Sequence, residues 1–268
     1  MNDRSPAALV LRLAGPLQSW GMTSQFNKRD TLTEPTKSGI IGLLAAASGR
    51  RRIDPIEDLV SLRLAVRTDQ PGSLLRDYHT VSDYRGRNLP SAELNPSGKQ
   101  KSARNGTRVT LRYYLADAVF VAAMSGPIEL LVSLAQAVKA PAFPLALGRR
   151  ACTPTQPLLL RPTAGHSHTA EVALWKGELM EVVDLVPWQA SPHHLATLAA
   201  ANRPSRVDLP VVIDDPDGND LRADIPRSFA PLDRGFTSRR VRHAWSRVTT
   251  PFPADGPASH DPFALLGW

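Results

Sequence analysis

Cysteine is nearly absent: Cys152 is the only one in 268 residues. A lone cysteine excludes an internal disulfide framework and a cysteine-built zinc site, and it fits a reducing cytoplasm. Long apolar runs are missing as well. The N-terminal segment MNDRSPAALVLRLAG breaks at Arg12 and again at Gly15–Pro16. It is a poor secretion signal and far too short to span a membrane, so a cytoplasmic chain with no membrane partner is expected. No internal repeat is visible. The motifs G-x-S-x-G, H-E-x-x-H and G-x-x-x-x-G-K-[ST] are absent, as is any paired-carboxylate motif. His166 and His168 flank Ser167 in a polar turn, and His193 and His194 are adjacent. Neither pair has a carboxylate or cysteine at ligand spacing, so they read as surface or capping residues. No metal, no cofactor and no catalytic residue is expected.

What is present is positive charge on an ordinary globular composition. The formal net charge is +7 with 42% hydrophobic residues, enough for a sizeable core. The charge points to an anionic partner, of which nucleic acid is the commonest, although many basic proteins bind none.

Residues 8–14 (ALVLRLA) read as a buried strand ended by Gly15–Pro16, and the polar stretch LQSWGMTSQFNKRDTLTEP reads as a loop. Pro35–Thr36 opens a helix to about Ser48, with Ile40, Leu43, Leu44 and Ala47 as its stripe and Gly49 as its stop. Arg50, Arg51 and Arg52 follow, facing the negative helix end or simply forming a solvated cap. Asp54–Pro55 starts a short second helix. LRLAVRT (62–68) alternates Leu62, Leu64 and Val66 against Arg63 and Arg67, a strand. Residues 69–107 are polar and turn-rich, a connection long enough to suggest function or disorder. Strand character returns at 108–124, and a helix begins after Gly126–Pro127 with Ile128, Leu131, Leu134, Ala135 and Val138 as its stripe. Residues 145–160 read as extended. The order is βαββαβ, an α+β plan of the ferredoxin-like or RRM-like kind with a long insertion between its second and third strands. Beyond residue 161, EVALW, MEVVDLV and DLPVVID read as strands of a smaller β-rich region.

Three constellations could bind an anion. In PTKSGIIGLL the start of a helix offers free N–H groups, with hydroxyls from Thr36 and Ser38 and a charge from Lys37. Gly39 and Gly42 each cost about 1 kcal/mol relative to alanine in a helix, so close approach by another backbone or by RNA, or tight helix–sheet packing, must offset them. Second, residues 76–112 carry eight basic side chains (Arg76, Arg85, Arg87, Lys99, Lys101, Arg104, Arg108, Arg112) against Asp77, Asp83 and Glu93, a local +5. Tyr78, His79 and Tyr84 are interleaved with them. Single-stranded RNA binders use this mixture, charges for phosphates and rings for bases; a solvated loop is the bland alternative. Third, in LGRRACTP, Gly148 permits a turn or a close approach to a ligand. Arg149 and Arg150 point to opposite faces of an extended segment, so at most one is an RNA-facing anchor.

The segments LRLAGPLQSWG, PTKSGIIGLL, LRDYHTVSDYRG, LRYYLADAVFVAAM and LGRRACTPTQPLLL, in that order, resemble type I-E members of the CRISPR-associated family called Cas five, of the RAMP superfamily. The likeness spans residues 8–160 and continues faintly at DIPRSFAPLDRG. It implies an RRM-like RAMP domain over 1–160 with 76–112 as an inserted thumb, a small β-rich region over 161–250, and a tail at 251–268. It also implies a non-catalytic, RNA-binding subunit of the Cascade surveillance complex, an antiviral ribonucleoprotein. Such a subunit caps the 5′ handle of the CRISPR RNA (crRNA), contacts the backbone and large subunits, and meets target DNA only indirectly. The thumb here is longer, with LPSAELNPSGKQKSARNGT between Arg87 and Arg108, and the segment from Arg239 has no counterpart in the family pattern.

Together these readings nominate Thr36, Lys37, Ser38, Arg76, Tyr78, His79, Arg85, Arg87, Arg104, Arg108, Arg149 and Arg150 as RNA-binding residues. Arg104 and Arg108 are expected to carry handle binding, and Lys37→Glu to harm RNA binding more than stability. The alternative is a metal-independent endoribonuclease, as in type I-C relatives. Tyr78, His79, Tyr84, Lys37 and His243 are its conceivable parts, but no family cleavage motif lines up.

Overall fold

The computed structural model describes residues 6–21, 28–81, 97, 108–168, 173–201, 204–230 and 232–252, apart from the side chains of Val81, Arg108 and Ala201. In chain order the elements are β1 (Ala7–Ala14), the short β2 (Leu17–Gln18) and β3 (Lys28–Arg29), α1 (Lys37–Ala47), α2 (Glu57–Val60), β4 (Arg63–Gln70), β5 (Ser73–Val81), β6 (Arg108–Ala116), β7 (Val119–Ser125), α3 (Ile128–Lys139), β8 (Leu174–Lys176), α4 (Leu179–Leu185), α5 (Pro192–Ala201), β9 (Arg206–Asp214), β10 (Asp220–Ser228) and β11 (Gly235–Thr249). Among the described residues no helix is long and apolar enough to cross a membrane.

Seven strands form one antiparallel sheet in the order β10-β11-β9-β4-β7-β1-β8. Its part β4-β7-β1-β8, with α1 after β1 and α3 after β7, is the order that two interleaved βαβ units give. Strand alternation serves two cores at once. On one face Leu9, Leu11, Leu13, Leu64, Phe120 and Met124 pack with Ile40 and Leu44 of α1 and Leu131 and Leu134 of α3. On the other, Val10, Ala65, Val121, Val211 and Ile213 pack with Val182, Val183 and Val186 in and just after α4. Covered on both sides, β7 reads as an apolar run from Val119 to Met124, and β1 as one interrupted by Arg12.

Four expectations change. Residues 145–160 do not make a regular fourth strand. They follow β1 irregularly, through the Leu11–Leu159 bridge and the bonds Arg12 N–H to Leu158 C=O (2.7 Å), Leu160 N–H to Val10 C=O (3.0 Å) and Thr155 N–H to Ala14 C=O (3.1 Å). Pro154 and Pro157 remove the donors a longer ladder needs; β8 fills the outer position. The segment MEVVDLV is helical. Glu178 and Glu181 form a reciprocal capping box that starts α4, a local signal stronger than the β-branched valines. The C-terminal strands extend the main sheet, because β9 pairs with β4 through Ala65–Ile213, Val66–Val212 and Arg67–Val211. Residues 69–107 are not one long loop: Gly72, at φ +70°, turns the chain into β5, which pairs with β6 from Ser73–Ala116 to Val81–Arg108.

Arg67, whose alternation pattern places it on a polar face, is fully buried, as is Asp69. Its guanidinium grips Asp69 with two bonds (2.7 and 2.8 Å) and donates to the carbonyls of Val183, Val186 and Pro187 at the end of α4. A cation there satisfies orphan carbonyls and the helix dipole together. Burial pushes the Asp69 carboxyl up, against the opposing pull of Arg67. Of the Arg50–Arg52 triplet, Arg50 forks onto Asp58, which holds that carboxyl below its ordinary value, while Arg51 and Arg52 are exposed, as a solvated cap would be.

Candidate nucleic-acid interface

The β5–β6 hairpin belongs to a second, smaller sheet in which β6 also pairs with β2 and β3. Directly opposed residues share a face. One face carries Leu74, Arg76, Tyr78 and Thr80 from β5, with Val109, Leu111 and Tyr113 opposite them on β6. Tyr78 is 63% exposed and Arg76 is exposed. The Lys28 ammonium, from β3, stands 5.7 Å from the Tyr113 ring centre. Exposed rings beside cations suit base stacking with phosphate neutralisation. The reverse face carries Asp77 and His79, in contact through Oδ2 and Nε2, with Arg112 opposite Asp77, Thr110 opposite His79, and Arg29 of β3 beside Arg112.

Arg149 and Arg150 separate, but in a turn closed by the Cys152 N–H on the Arg149 carbonyl (2.8 Å) and not in the extended segment expected. Arg149 donates to the carbonyls of Arg29 (2.6 Å), Asp30 and Tyr113 (both 3.3 Å), and its guanidinium lies 5.0 Å from the Tyr114 ring centre. It fastens β3 to β6, so the RNA-facing option falls to the exposed Arg150. Gly148, at φ +86°, has the Ser19 carbonyl where a Cβ would sit, so the close neighbour is backbone of this chain. Burial raises the nearby Cys152 thiol.

The start of α1 departs from its reading as a phosphate seat. Thr36, Lys37 and Ser38 are buried. Thr36 caps the helix by accepting from the Gly39 N–H (3.1 Å), the Lys37 N–H donates to Asp224 (2.7 Å), and Lys37 Nζ donates to Asp214 (2.9 Å). Arg239 completes a four-charge cluster by binding both aspartates. The anion at this helix start is therefore the chain's own Asp224, and Lys37 is spent on Asp214. Packing accounts for the first glycine: a Cβ on Gly39 would lie 2.6 Å from the Trp20 ring, whereas one on Gly42 would make ordinary contact with Phe229 at 3.6 Å.

Of the nominated residues, the hairpin thus groups Arg76, Tyr78 and His79 on its two faces. Arg85, Arg87 and Arg104 lie outside the described residues, as does the Arg108 side chain, although its backbone pairs with Val81. Lys28, Arg29, Thr110 and Tyr113 join the candidate interface without having been singled out, and Arg112 after being counted only in the local charge. Their signal was the charge run NKRD, taken as loop, and the alternation of RVTLRYY once it has a partner strand. Among the described residues no cluster of His, Cys, Asp and Glu could hold a metal.

A mixed α/β sheet with a projecting hairpin that carries arginine and tyrosine to solvent is the class of scaffold this fold defines. The chain belongs to the family described as CRISPR-associated protein (Cas_Cas5), whose profile matches residues 8–242. More particularly, it is 39% identical over 170 residues to the CRISPR system Cascade subunit CasD of Escherichia coli (strain K12), covering 57% of this chain and 69% of that protein. Among solved structures it is similar to a chain of a CRISPR RNA-guided surveillance complex, with 33% identity, TM-score 0.69, and coverage of 97% of this chain and 98% of that one. It is also similar to a structure titled "Crystal structure of Cas protein", with 31% identity, TM-score 0.62, and coverage of 91% and 99%.

Proposed function

We propose that this chain is a non-catalytic crRNA-binding subunit of a Cascade-type complex, that it holds the 5′ handle of the guide, and that it sits beside the backbone and large subunits. The observation that carries the reading is the β5–β6 hairpin, whose exposed Arg76 and Tyr78 stand beside Tyr113 and Lys28 on one open face. The likeness to a Cascade subunit and to a chain of an RNA-guided surveillance complex supports the same assignment.

Cleavage needs an acid and a base within hydrogen-bond reach of one phosphodiester. The conceivable parts lie apart. Tyr78 and His79 occupy opposite faces of the hairpin, Lys37 is buried against Asp214, and His243 pairs with Asp220 on the C-terminal strands. Tyr84 is outside the described residues. The Asp77–His79 contact is the one feature that favours the endoribonuclease reading, and it supplies a single acid–base group.

The test incubates the full chain with labelled repeat RNA and scores retention and cutting together. Wild type should retain intact RNA. Arg76→Ala with Tyr78→Ala should weaken retention about tenfold or more, with a shallower dependence on salt because a phosphate contact is lost. Specific cutting at the handle boundary, abolished by His79→Ala, would establish the enzyme instead.

A further inference from the structure

The reverse face of the hairpin holds two orphaned polar atoms. Thr110 Oγ1 and Arg112 Nε are buried with no hydrogen-bond partner among the described residues. Buried donors left unmade cost stability, and such atoms call for a ligand or water. They stand in a built row: Arg112 is opposite Asp77 and beside Arg29, and Thr110 is opposite His79. Asp77 is the one anion among them, facing Arg29 and Arg112, and it is engaged by His79.

The Asp77–His79 contact settles the imidazole's tautomer by chemistry. A carboxylate accepts, so Nε2 must carry the proton and donate. In the neutral ring, Nδ1 is then left with a lone pair and can only accept. The two rows are two residues apart along the strands, about 7 Å, so one nucleotide can span them.

Resting on the RNA-binding reading above, we infer that this face is a ribose-reading subsite: Arg112 and Thr110 donate to a backbone phosphodiester of single-stranded RNA, and His79 Nδ1 accepts from the adjacent ribose 2′-hydroxyl. Arg29 adds long-range attraction for the phosphate. Asp77 touches no RNA; it is a positioning residue that fixes which nitrogen accepts. DNA offers the same phosphate but no 2′-hydroxyl, so the face separates the two nucleic acids at one atom. The opposite face, with Tyr78 and Tyr113, stacks bases and has no such preference.

The experiment titrates the full chain with labelled single-stranded repeat RNA and with DNA of the same sequence, at one fixed salt concentration. Wild type should prefer RNA. Thr110→Val and Arg112→Gln should each weaken RNA and DNA alike, by about threefold for the hydroxyl and about tenfold or more for the guanidinium. His79→Phe should lower RNA affinity alone, by about three- to tenfold, bringing the RNA-to-DNA ratio down. Asp77→Asn should give a partial loss of the same ratio. Melting curves accompany every variant, and the near-isosteric Thr110→Val keeps the phosphate arm readable where Arg112→Gln unfolds. RNA retention with a ratio unchanged by His79→Phe overturns this inference and leaves the RNA-binding reading standing. Absence of RNA retention by wild type overturns both.

Discussion

Lys37 sits in the first turn of α1 with its ammonium 2.9 Å from Asp214 and its backbone N–H on Asp224. Both aspartates also bind Arg239. Removing one partner from a buried charge cluster leaves another uncompensated, which costs on the order of 3 kcal/mol and lowers the melting temperature of a chain this size by roughly 5 °C. Lys37→Ala should therefore melt early yet retain RNA normally below its transition, the reverse of what a phosphate seat requires. Thermal melting paired with RNA retention checks this. Early loss of RNA binding with an unchanged melting curve would return Lys37 to the interface. The residue types at 36–38 suit phosphate and helix capping equally, and only the position of Asp224, 187 residues along the chain from Lys37, chooses between them.

Between elements, Arg67 joins the centre of the main sheet to the end of α4. Its guanidinium serves Asp69 and three carbonyls at once, with no exposure to water. Arg67→Met should cost about 3–5 kcal/mol, because Asp69 and the helix end are left buried without their donor. Replacing both residues, Arg67→Met with Asp69→Leu, should recover part of that loss, since an apolar pair has no charge to desolvate. Denaturant midpoints of the two variants measure the difference. A double variant less stable than the single one would mean that the carbonyl contacts of Arg67 dominate, not its pairing with Asp69. The same element-scale logic explains α4 itself: its valines favour a strand, but the Glu178–Glu181 capping box and the Arg67 clamp fix both of its ends.

At the scale of the whole molecule, the sheet runs unbroken from β8 to β10, and β4 has β9 as its outer neighbour. The apolar residues Val211 and Ile213 of β9 share one core with Val10, Val121 and α4. A fragment ending at residue 160 would lose α4, β9 and every acceptor of Arg67 except Asp69, and would expose one face of the sheet. Such a fragment should fail to show a cooperative melt and should aggregate, whereas a fragment of 1–252 should melt as one unit. Circular dichroism and size-exclusion chromatography decide it. A soluble, cooperative 1–160 fragment would show that the N-terminal half is an independent domain after all.

Local signals carried by short stretches were legible on their own: the apolar runs of β1 and β7, the stripes of α1 and α3, and the concentration of positive charge between Arg76 and Arg112. From these the sequence alone determined a mixed α/β protein and raised the expectation of an anionic partner, and the ordered motifs pointed to its family. What depends on distant pairing had no local signature. Residues 73–81 look like loop until Arg108–Ala116 lies beside them, because a half-solvated hairpin has no apolar alternation to declare it. Arg67 and Lys37 look like surface cations until Asp69, Asp214 and the end of α4 are placed around them. Whether a charged side chain faces water, a carboxylate or a nucleic acid is set by which segments come together, and that is a property of the tertiary structure.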